Sequence, residues 1–188
     1  MTIFDQDEPA ANVLNITSGA VRLSKLLADG HRQVLGFALP GDFLGLSMSE
    51  RNAFSADTLV ATTACRFSRE RFSILLDNKP HLLRRLHTMV SHELSLAQDQ
   101  MVILGRRSAE QRMAAFLVTM SERWNRISGA KAYVPLPMTR RDIGDFLGIT
   151  VETASRQITQ FARQKVLVVA PDGVRLLDAS RLERIAGN

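Results

Sequence analysis

The sequence predicts an α+β fold in which an antiparallel β jelly roll, one long helix and a helix-rich C-terminal domain follow one another. Short strands separated by glycine turns occupy residues 12–72. A seven-residue apolar repeat then runs over residues 83–104. Two short amphipathic segments meet at Gly148 within residues 136–165. The predicted regions are therefore 1–78, 79–105 and 106–188.

Turn residues and alternating side chains define the predicted roll. Asp29-Gly30 is typical of a tight hairpin turn, and Pro40-Gly41-Asp42 turns the chain a second time. Alternation of apolar and polar residues on either side of these turns indicates half-buried strands. The predicted strands are 13–16, 20–27, 31–39, 57–64 and a following segment at 65–69.

A long helix is predicted from Lys79-Pro80 to about Gly105, because proline is tolerated in the first turn of a helix. One apolar seam on it consists of Leu83, His87, Val90, Leu94, Ala97, Met101 and Leu104. A second stripe lies beside it at Leu82, Leu86, Met89, Leu96 and Ile103. We expect one face to pack on the roll and the seam to pair with a second copy. Burial of both faces within one monomer is the alternative.

Residues 139–147 form the first of two short predicted helices. Thr139 can cap this helix, and Asp142 lies in its first turn, where a carboxylate complements the free amide groups. Ile143, Phe146 and Leu147 fall three and four residues apart, which predicts one buried face. Gly148 then supplies a left-handed turn.

The second short helix starts after Thr150, its predicted cap. We expect it to bury Val151, Ala154, Ile158 and Phe161. Two short helices crossing at a glycine turn are typical of a helix-turn-helix, whose second helix enters the DNA major groove. An ordinary helical hairpin with a solvated polar face is the alternative.

The outward side chains of the second helix suit base recognition. Arg156 can donate two bonds to guanine, Glu152 can accept from cytosine, and Ser155 can bond either kind of partner. Val151 can contact a thymine methyl group. The predicted base-reading residues are therefore Val151, Glu152, Ser155 and Arg156. The predicted phosphate contacts are Thr139, Arg140, Thr150, Thr153, Arg163 and Arg175.

The segments around this motif complete a predicted winged domain. Ser108 can cap a helix that runs to about Arg126, with Gln111 completing a capping box. A short strand at 133–136 precedes the motif, and a hairpin at 166–169 and 174–177 follows it. A helix at 178–185 closes the chain.

Charge and composition agree with a DNA-binding C-terminal region. Residues 1–105 carry 10 basic and 11 acidic side chains, whereas residues 106–188 carry 14 and 8. The surplus of positive charge therefore lies in the region that contains the second short helix, the predicted reading helix, as contact with DNA phosphates requires. No apolar run is long enough for a bilayer and the N-terminus is acidic, so we expect a cytoplasmic protein that makes no membrane contact.

The segment TRRDIGDFLGITVETASRQI resembles the DNA-binding helices of the Crp/Fnr family of bacterial transcription regulators. Its V-E-T-x-S-R motif, residues 151–156, is similar to that of the Fnr and FixK branch. This resemblance implies recognition of palindromes built from TTGAT-type half-sites. The segment SGAVRLSKLLADGHRQVLGFALPGDFLG likewise resembles the cyclic-nucleotide-binding roll of the family, so the fold expected is that roll, a dimerisation helix and a winged helix-turn-helix.

Departures from the family pattern bear on ligands. The resemblance puts Leu46 where cyclic-AMP-binding members carry an acidic residue, and Ser55-Ala56 where they carry Arg-Ser, while Arg51 comes too early in the loop. We therefore expect no cyclic AMP, because a buried phosphate would lack its guanidinium. An iron–sulfur cluster needs about four thiolates, and Cys65 is the single cysteine of the chain, so no cluster is expected either.

Cys65 itself is more simply explained as a small buried residue than as a redox-responsive thiol, which is the alternative. Family members also begin with a further helix and strand, whereas Met1 here falls inside the expected roll. Either the natural chain is short or the reading frame is truncated. If the first strands are absent, we expect an open sheet edge that is left frayed or covered by a partner.

Together these features predict a homodimeric, sequence-specific transcription regulator, and the resemblance implies an activator in low-oxygen or nitrogen-oxide metabolism. By resemblance, RNA polymerase is a further expected partner, through exposed residues within 48–54 or 106–110. An effector-sensing regulator that binds haem or another small ligand is one alternative, and a truncated partner that blocks a full-length relative is another. Enzyme activity is not expected, because the four histidines lack metal-ligand spacing and no phosphate-binding loop is present.

Overall fold

The computed structural model describes residues 1–47, 49–106, 108–129 and 132–187. It divides the chain into two compact units, Met1–Met101 and Val102–Asn188. The first unit carries the strands of the predicted roll and most of the long helix. The second carries the predicted helix-turn-helix.

Two antiparallel sheets form the roll. Its strands are β1 (Thr2–Phe4), β2 (Asn12–Ser18), β3 (Val21–Leu26), β4 (Arg32–Ala38), β5 (Phe43–Leu44), β6 (Ser55–Thr58) and β7 (Thr63–Ser68). One sheet has the order β1-β6-β3-β4 and the other the order β5-β2-β7. Apolar side chains from both sheets, including Ile16, Val21 and Ala56, form one buried cluster. The predicted antiparallel roll is therefore confirmed.

The predicted strand at 57–64 is wrong. β6 ends at Thr58, and β7 begins at Thr63 in the other sheet. Between them, Leu59 donates its backbone N–H to the carbonyl of Ala20, and the Thr62 hydroxyl bonds the carbonyls of Ala20 and Val60. The sequence predicts one strand over 57–64, because the alternation of apolar and polar side chains does not reveal where a chain leaves one sheet for another.

Helix α1 (Arg69–Asn78) also departs from the sequence analysis, which placed strand and turn up to residue 72 and no helix before Lys79. Ser68 caps α1 by accepting a hydrogen bond from the N–H of Arg71. Phe72, Leu75 and Leu76 have the three-and-four spacing of a helix, a signal that the sequence analysis missed, although only Phe72 is buried. The following helix, α2 (Pro80–Arg106), starts and ends within a residue of its predicted limits.

The second unit combines four helices with a three-stranded sheet. They are α3 (Ala109–Ser128), β8 (Tyr133–Pro135), α4 (Arg140–Leu147), α5 (Val151–Arg163), β9 (Leu167–Ala170), β10 (Gly173–Leu176) and α6 (Ala179–Ala186). Ser108 and Gln111 form the predicted capping box of α3. The strand order β8-β10-β9 makes β9 and β10 the predicted hairpin wing. The core of the second unit includes Met113, Leu117, Met120, Ile143, Leu147, Phe161, Leu167 and Leu182.

Within the described ranges, no helix combines the length and the apolar character that crossing a bilayer requires.

Candidate nucleic-acid interface

A reciprocal capping box starts α4. The N–H of Asp142 donates to the Thr139 hydroxyl at 3.1 Å. The Thr139 N–H and hydroxyl in turn donate to the Asp142 carboxylate, at 3.1 and 2.7 Å. Asp142 is only 2 % exposed, so the box is a buried polar structure rather than a solvated one. The predicted role of Thr139 as the cap residue, which fixes where α4 begins, agrees with this geometry.

Two glycines allow α4 and α5 to cross closely. Gly148 has φ of 62°, the left-handed conformation predicted for the turn. Gly144 was not identified from the sequence. A Cβ atom at Gly144 would lie 2.8 Å from the carbonyl oxygen of Ile149, which is too close for any side chain. The N–H of Ile149 also donates to the Gly144 carbonyl at 3.0 Å, so the turn contacts α4 directly at this point.

Thr150 caps α5 by accepting a hydrogen bond from the N–H of Thr153 at 3.2 Å. Ala154, Gln157, Ile158 and Phe161 form the buried face of α5. Val151 was expected to be buried there, and that expectation is wrong, because it is 38 % exposed. It is the first residue of α5, where the helix leaves the turn, and Gln157 takes a buried position instead.

The exposed side of α5 carries the predicted base-reading side chains. Glu152, Ser155 and Arg156 are all exposed in the first two turns. The Arg156 guanidinium donates to the Thr153 hydroxyl at 3.3 Å, which limits its orientation. Bonds from its own backbone N–H and from the Thr150 hydroxyl hold the pKa of the Glu152 carboxyl below its ordinary value. Glu152 is therefore an ionised acceptor at neutral pH.

The remaining candidate phosphate contacts lie at the ends of α4 and α5 and on the wing. Thr139 and Thr150 are exposed caps at the N-termini of the two helices, where amide groups attract anions. Arg140 is half-buried, and burial lowers the pKa of its guanidinium from the ordinary value. Arg163 and Arg175 are exposed, the latter in the middle of β10.

Arg112 was missed in the sequence analysis, although it contacts the turn itself. Its guanidinium donates to the carbonyl of Leu147 at 3.0 Å and to that of Gly148 at 3.4 Å. A second polar contact joins the same end of α3 to α5, because the Gln160 amide donates to Glu110 at 3.2 Å. Sequence patterns hold no signal for such contacts, which join residues 35 to 50 positions apart.

The predicted dimer seam on α2 is open to solvent in the single chain. Leu83, Val90, Leu94 and Met101 are between 47 and 71 % exposed, and His87 and Ala97 are exposed as well. The side chain of Leu104 lies outside the described part of the structure. In the second stripe Leu82, Leu86 and Met89 are half-buried, whereas the side chains of Leu96 and Ile103 are also outside the description.

The loop after β5 is held by the protein's own groups. Arg69 donates to the carbonyls of Gly45, at 3.0 Å, and of Ser49. Arg51, which comes too early in the loop to match the family's Arg-Ser pair, donates to the carbonyl of Asp7. Leu46 is half-buried and Ser55-Ala56 begins β6.

Cys65 is exposed on β7, so the expectation of a buried thiol is wrong. All six residues of β7 are exposed, although the ring of Phe67 contacts that of Phe72 in α1, with centroids 5.9 Å apart. In the part of the chain that the structure describes, no cluster of three or more histidine, cysteine or carboxylate side chains could hold a metal ion.

Two protein-family models match this chain, one over the region of the β roll and the other over the helix-rich C-terminal region. The model of the cyclic nucleotide-binding domain matches residues 1–79. The model of the Crp-like helix-turn-helix domain matches residues 111–185.

Individual relatives match nearly the whole chain. The transcriptional activatory protein AadR of Rhodopseudomonas palustris is 50 % identical over 98 % of this chain and 77 % of its own length. The nitrogen fixation regulation protein FixK of Bradyrhizobium diazoefficiens is 46 % identical over 98 % of this chain and 78 % of its own. Among solved structures, FixK2 from Bradyrhizobium japonicum superimposes with a TM-score of 0.89 at 36 % identity, covering 98 % of this chain and 92 % of that one.

Proposed function

The chain belongs to the FixK-like branch of the Crp/Fnr family of DNA-binding transcription regulators, not to an enzyme family. We propose that it acts as a homodimer on a TTGAT-type palindrome. Each protomer reads one half-site with α5. Its relatives are named as an activatory protein and a nitrogen fixation regulator. These names support an activator. The proposal that its genes serve low-oxygen or nitrogen-oxide metabolism rests on the family resemblance.

The observation that carries base reading is the exposed polar face at the start of α5. Glu152, Ser155 and Arg156 project from a helix whose start is fixed by the Thr150 cap and whose opposite side is buried. Together they offer an ionised acceptor, a hydroxyl and a forked donor, the chemistry that distinguishes base pairs in the major groove. Val151 adds an exposed methyl surface for thymine.

Phosphate contacts position α5 without reading sequence. We assign them to Thr139, Thr150 and Thr153 at the two helix starts, and to Arg140, Arg163 and Arg175 as cations. Thr139, Thr150, Arg163 and Arg175 are exposed, whereas Arg140 and Thr153 are half-buried. The placement of all six around α5 and the wing supports this assignment. Such contacts contribute affinity that falls as salt rises.

The open seam on α2 supports the homodimer. Six seam side chains with described positions are exposed in one chain, and the apolar ones among them would be costly to leave in water. Pairing of two α2 helices buries them. It also holds two reading helices at a fixed separation, which a palindrome with half-sites one helical turn apart requires.

The roll acts in this proposal without cyclic AMP. The supporting facts are the apolar Leu46, the absence of Arg-Ser at 55–56 and the loop contacts made by Arg69. With one cysteine, a single chain cannot hold an iron–sulfur cluster by thiolates. RNA polymerase would contact exposed residues within 48–54 or 106–110, of which Met48 and Arg107 lie outside the described residues.

Titration of fluorescently labelled duplexes tests the proposal. Three duplexes of equal length carry the palindrome, a single half-site or a scrambled sequence, and affinity is measured at two salt concentrations. The palindrome should bind roughly a thousandfold more tightly than scrambled DNA. The half-site duplex should bind far more weakly than the palindrome. Equal affinity for palindrome and scrambled duplex would refute sequence-specific recognition, and equal affinity for palindrome and half-site would refute the dimer.

A further inference from the structure

The C-terminus of α4 receives its positive charge from another helix. All eight residues of α4 are described, and none in its last turn is basic. The carbonyl groups at a helix C-terminus carry partial negative charge and favour a nearby cation. Arg112 of α3 provides that cation, with its guanidinium 3.0 Å from the Leu147 carbonyl and 3.4 Å from that of Gly148.

The atoms that Arg112 contacts lie immediately before the reading helix. Gly148 is separated from Thr150, the cap of α5, by a single residue. Ile149 is itself bonded to Gly144, where there is no space for even a methyl group. A shift of the turn is therefore passed directly to the position at which α5 begins.

The other half of α5 is joined to the same end of α3. Gln160 donates to Glu110 at 3.2 Å, and Glu110 lies two residues before Arg112. The first turns of α3 therefore contact α5 in its C-terminal half and the chain just before its start. Together with the buried face of α5, these two separated polar contacts constrain both the position and the direction of the helix.

We propose that Arg112 is a positioning residue for DNA recognition: it sets where and at what angle α5 presents Glu152, Ser155 and Arg156, without reading bases itself. This inference rests on the proposed function. Base-reading bonds depend steeply on distance and angle, whereas non-specific attraction to phosphates does not. Loss of Arg112 should therefore reduce discrimination between sequences more than it reduces affinity for DNA in general.

The test compares Arg112→Met and Arg112→Lys with a control, Arg126→Met, in the full-length protein. Methionine keeps an unbranched stem without the cation, and lysine keeps the charge without the planar fork. Arg126 lies in the last turn of the same helix, so its replacement changes net charge equally. Affinities for the palindrome and for scrambled DNA are measured over a salt series, together with circular dichroism and thermal melting.

Arg112→Met should weaken binding to the palindrome about tenfold, as expected for loss of charge-assisted hydrogen bonds. Its affinity for scrambled DNA and its salt slope should match those of Arg126→Met. Arg112→Lys, which keeps the charge, should weaken binding to the palindrome about threefold. If Arg112→Met instead lost equal affinity for the palindrome and for scrambled DNA, and its salt slope fell by about one, Arg112 would be a phosphate contact and the proposal would be overturned. An unchanged ratio of affinities would overturn it too.

Two provisions keep the result interpretable. If Arg112→Met does not fold, Arg112→Lys and Glu110→Ala are compared, and both should lower the palindrome-to-scrambled ratio while melting as cooperatively as the parent. Failure of either to lower it would refute the positioning role. A wild-type protein that does not prefer the palindrome refutes the proposed function, whereas a specific wild type with fully specific Arg112 variants refutes only this inference.

Discussion

Replacing Leu94 by aspartate should dissociate the proposed dimer. Leu94 lies near the middle of the α2 seam and is 59 % exposed in the single chain. In a paired helix each copy would face apolar side chains of the other, so the change places two carboxylates in one apolar interface. Leu26→Asp is the matched control, because Leu26 is 62 % exposed at the end of β3, away from the seam.

The size of the effect follows from the area that the dimer would cover. Full burial of a leucine side chain contributes about 2 kcal/mol, so covering the exposed part of Leu94 contributes about 1.2 kcal/mol per protomer and about 2.4 kcal/mol per dimer. That energy corresponds to roughly fiftyfold in the dimer dissociation constant. Desolvation of the new carboxylates adds to the loss, so fiftyfold is a lower estimate.

Sedimentation equilibrium measures the dimer dissociation constant of wild type, Leu94→Asp and Leu26→Asp. Wild type and Leu26→Asp should be dimers at micromolar concentration, and Leu94→Asp should be largely monomeric and bind the palindrome no better than a single half-site. A dimeric Leu94→Asp protein would show that this seam is not the interface. A monomeric wild type would remove the dimer from the proposal altogether.

Other predictions concern the second unit. Arg156→Ala should cost about 1–3 kcal/mol on the cognate palindrome and relax preference at one base pair, measured with single-substitution duplexes. Arg140→Ala should weaken binding to all sequences about equally and flatten the salt slope by roughly one; identical patterns for the two variants would contradict the assigned roles. Glu152→Ala should change base preference more than total affinity, and a uniform loss would count against base reading. Gln157→Leu should raise the free energy of unfolding by about 1 kcal/mol, because Gln157 Oε1 is buried with no hydrogen-bond partner in the described structure. An unchanged or lower Tm would show that this oxygen has a hydrogen-bond partner in solution.

Local chemistry explains why the reading motif was predictable. The Thr139 and Thr150 caps and the left-handed Gly148 depend on groups within four residues of each other. Their sequence signals are therefore complete within a short window. The same holds for the capping box at Ser108 and for the hairpin wing.

Contacts between distant residues explain most of what the sequence did not reveal. Arg112 bonds a turn 35 residues away. Gly144 is required by the carbonyl of Ile149, only five residues on, but that close approach depends on how the two helices cross and not on a local sequence signal. The strand break at Leu59 arises because the chain passes between sheets. Cys65 was expected to be buried, since cysteine often is, yet β7 is open on the described roll.

Val151 shows a limit of periodicity at the end of an element. Spacing from Ala154 and Ile158 places it on the apolar face, but the first residue of a helix has no preceding turn to cover it. Its exposure agrees with the other expectation for this residue, contact with a thymine methyl group, which stays a prediction.

In vitro selection from a random duplex library identifies the DNA that the protein prefers without assuming any sequence in advance. Wild-type protein should enrich duplexes that carry two inverted TTGAT-type half-sites whose centres lie about ten base pairs apart. Enrichment of a single half-site without a symmetric partner, or of no common sequence at all, would contradict a dimer that reads a palindrome through α5.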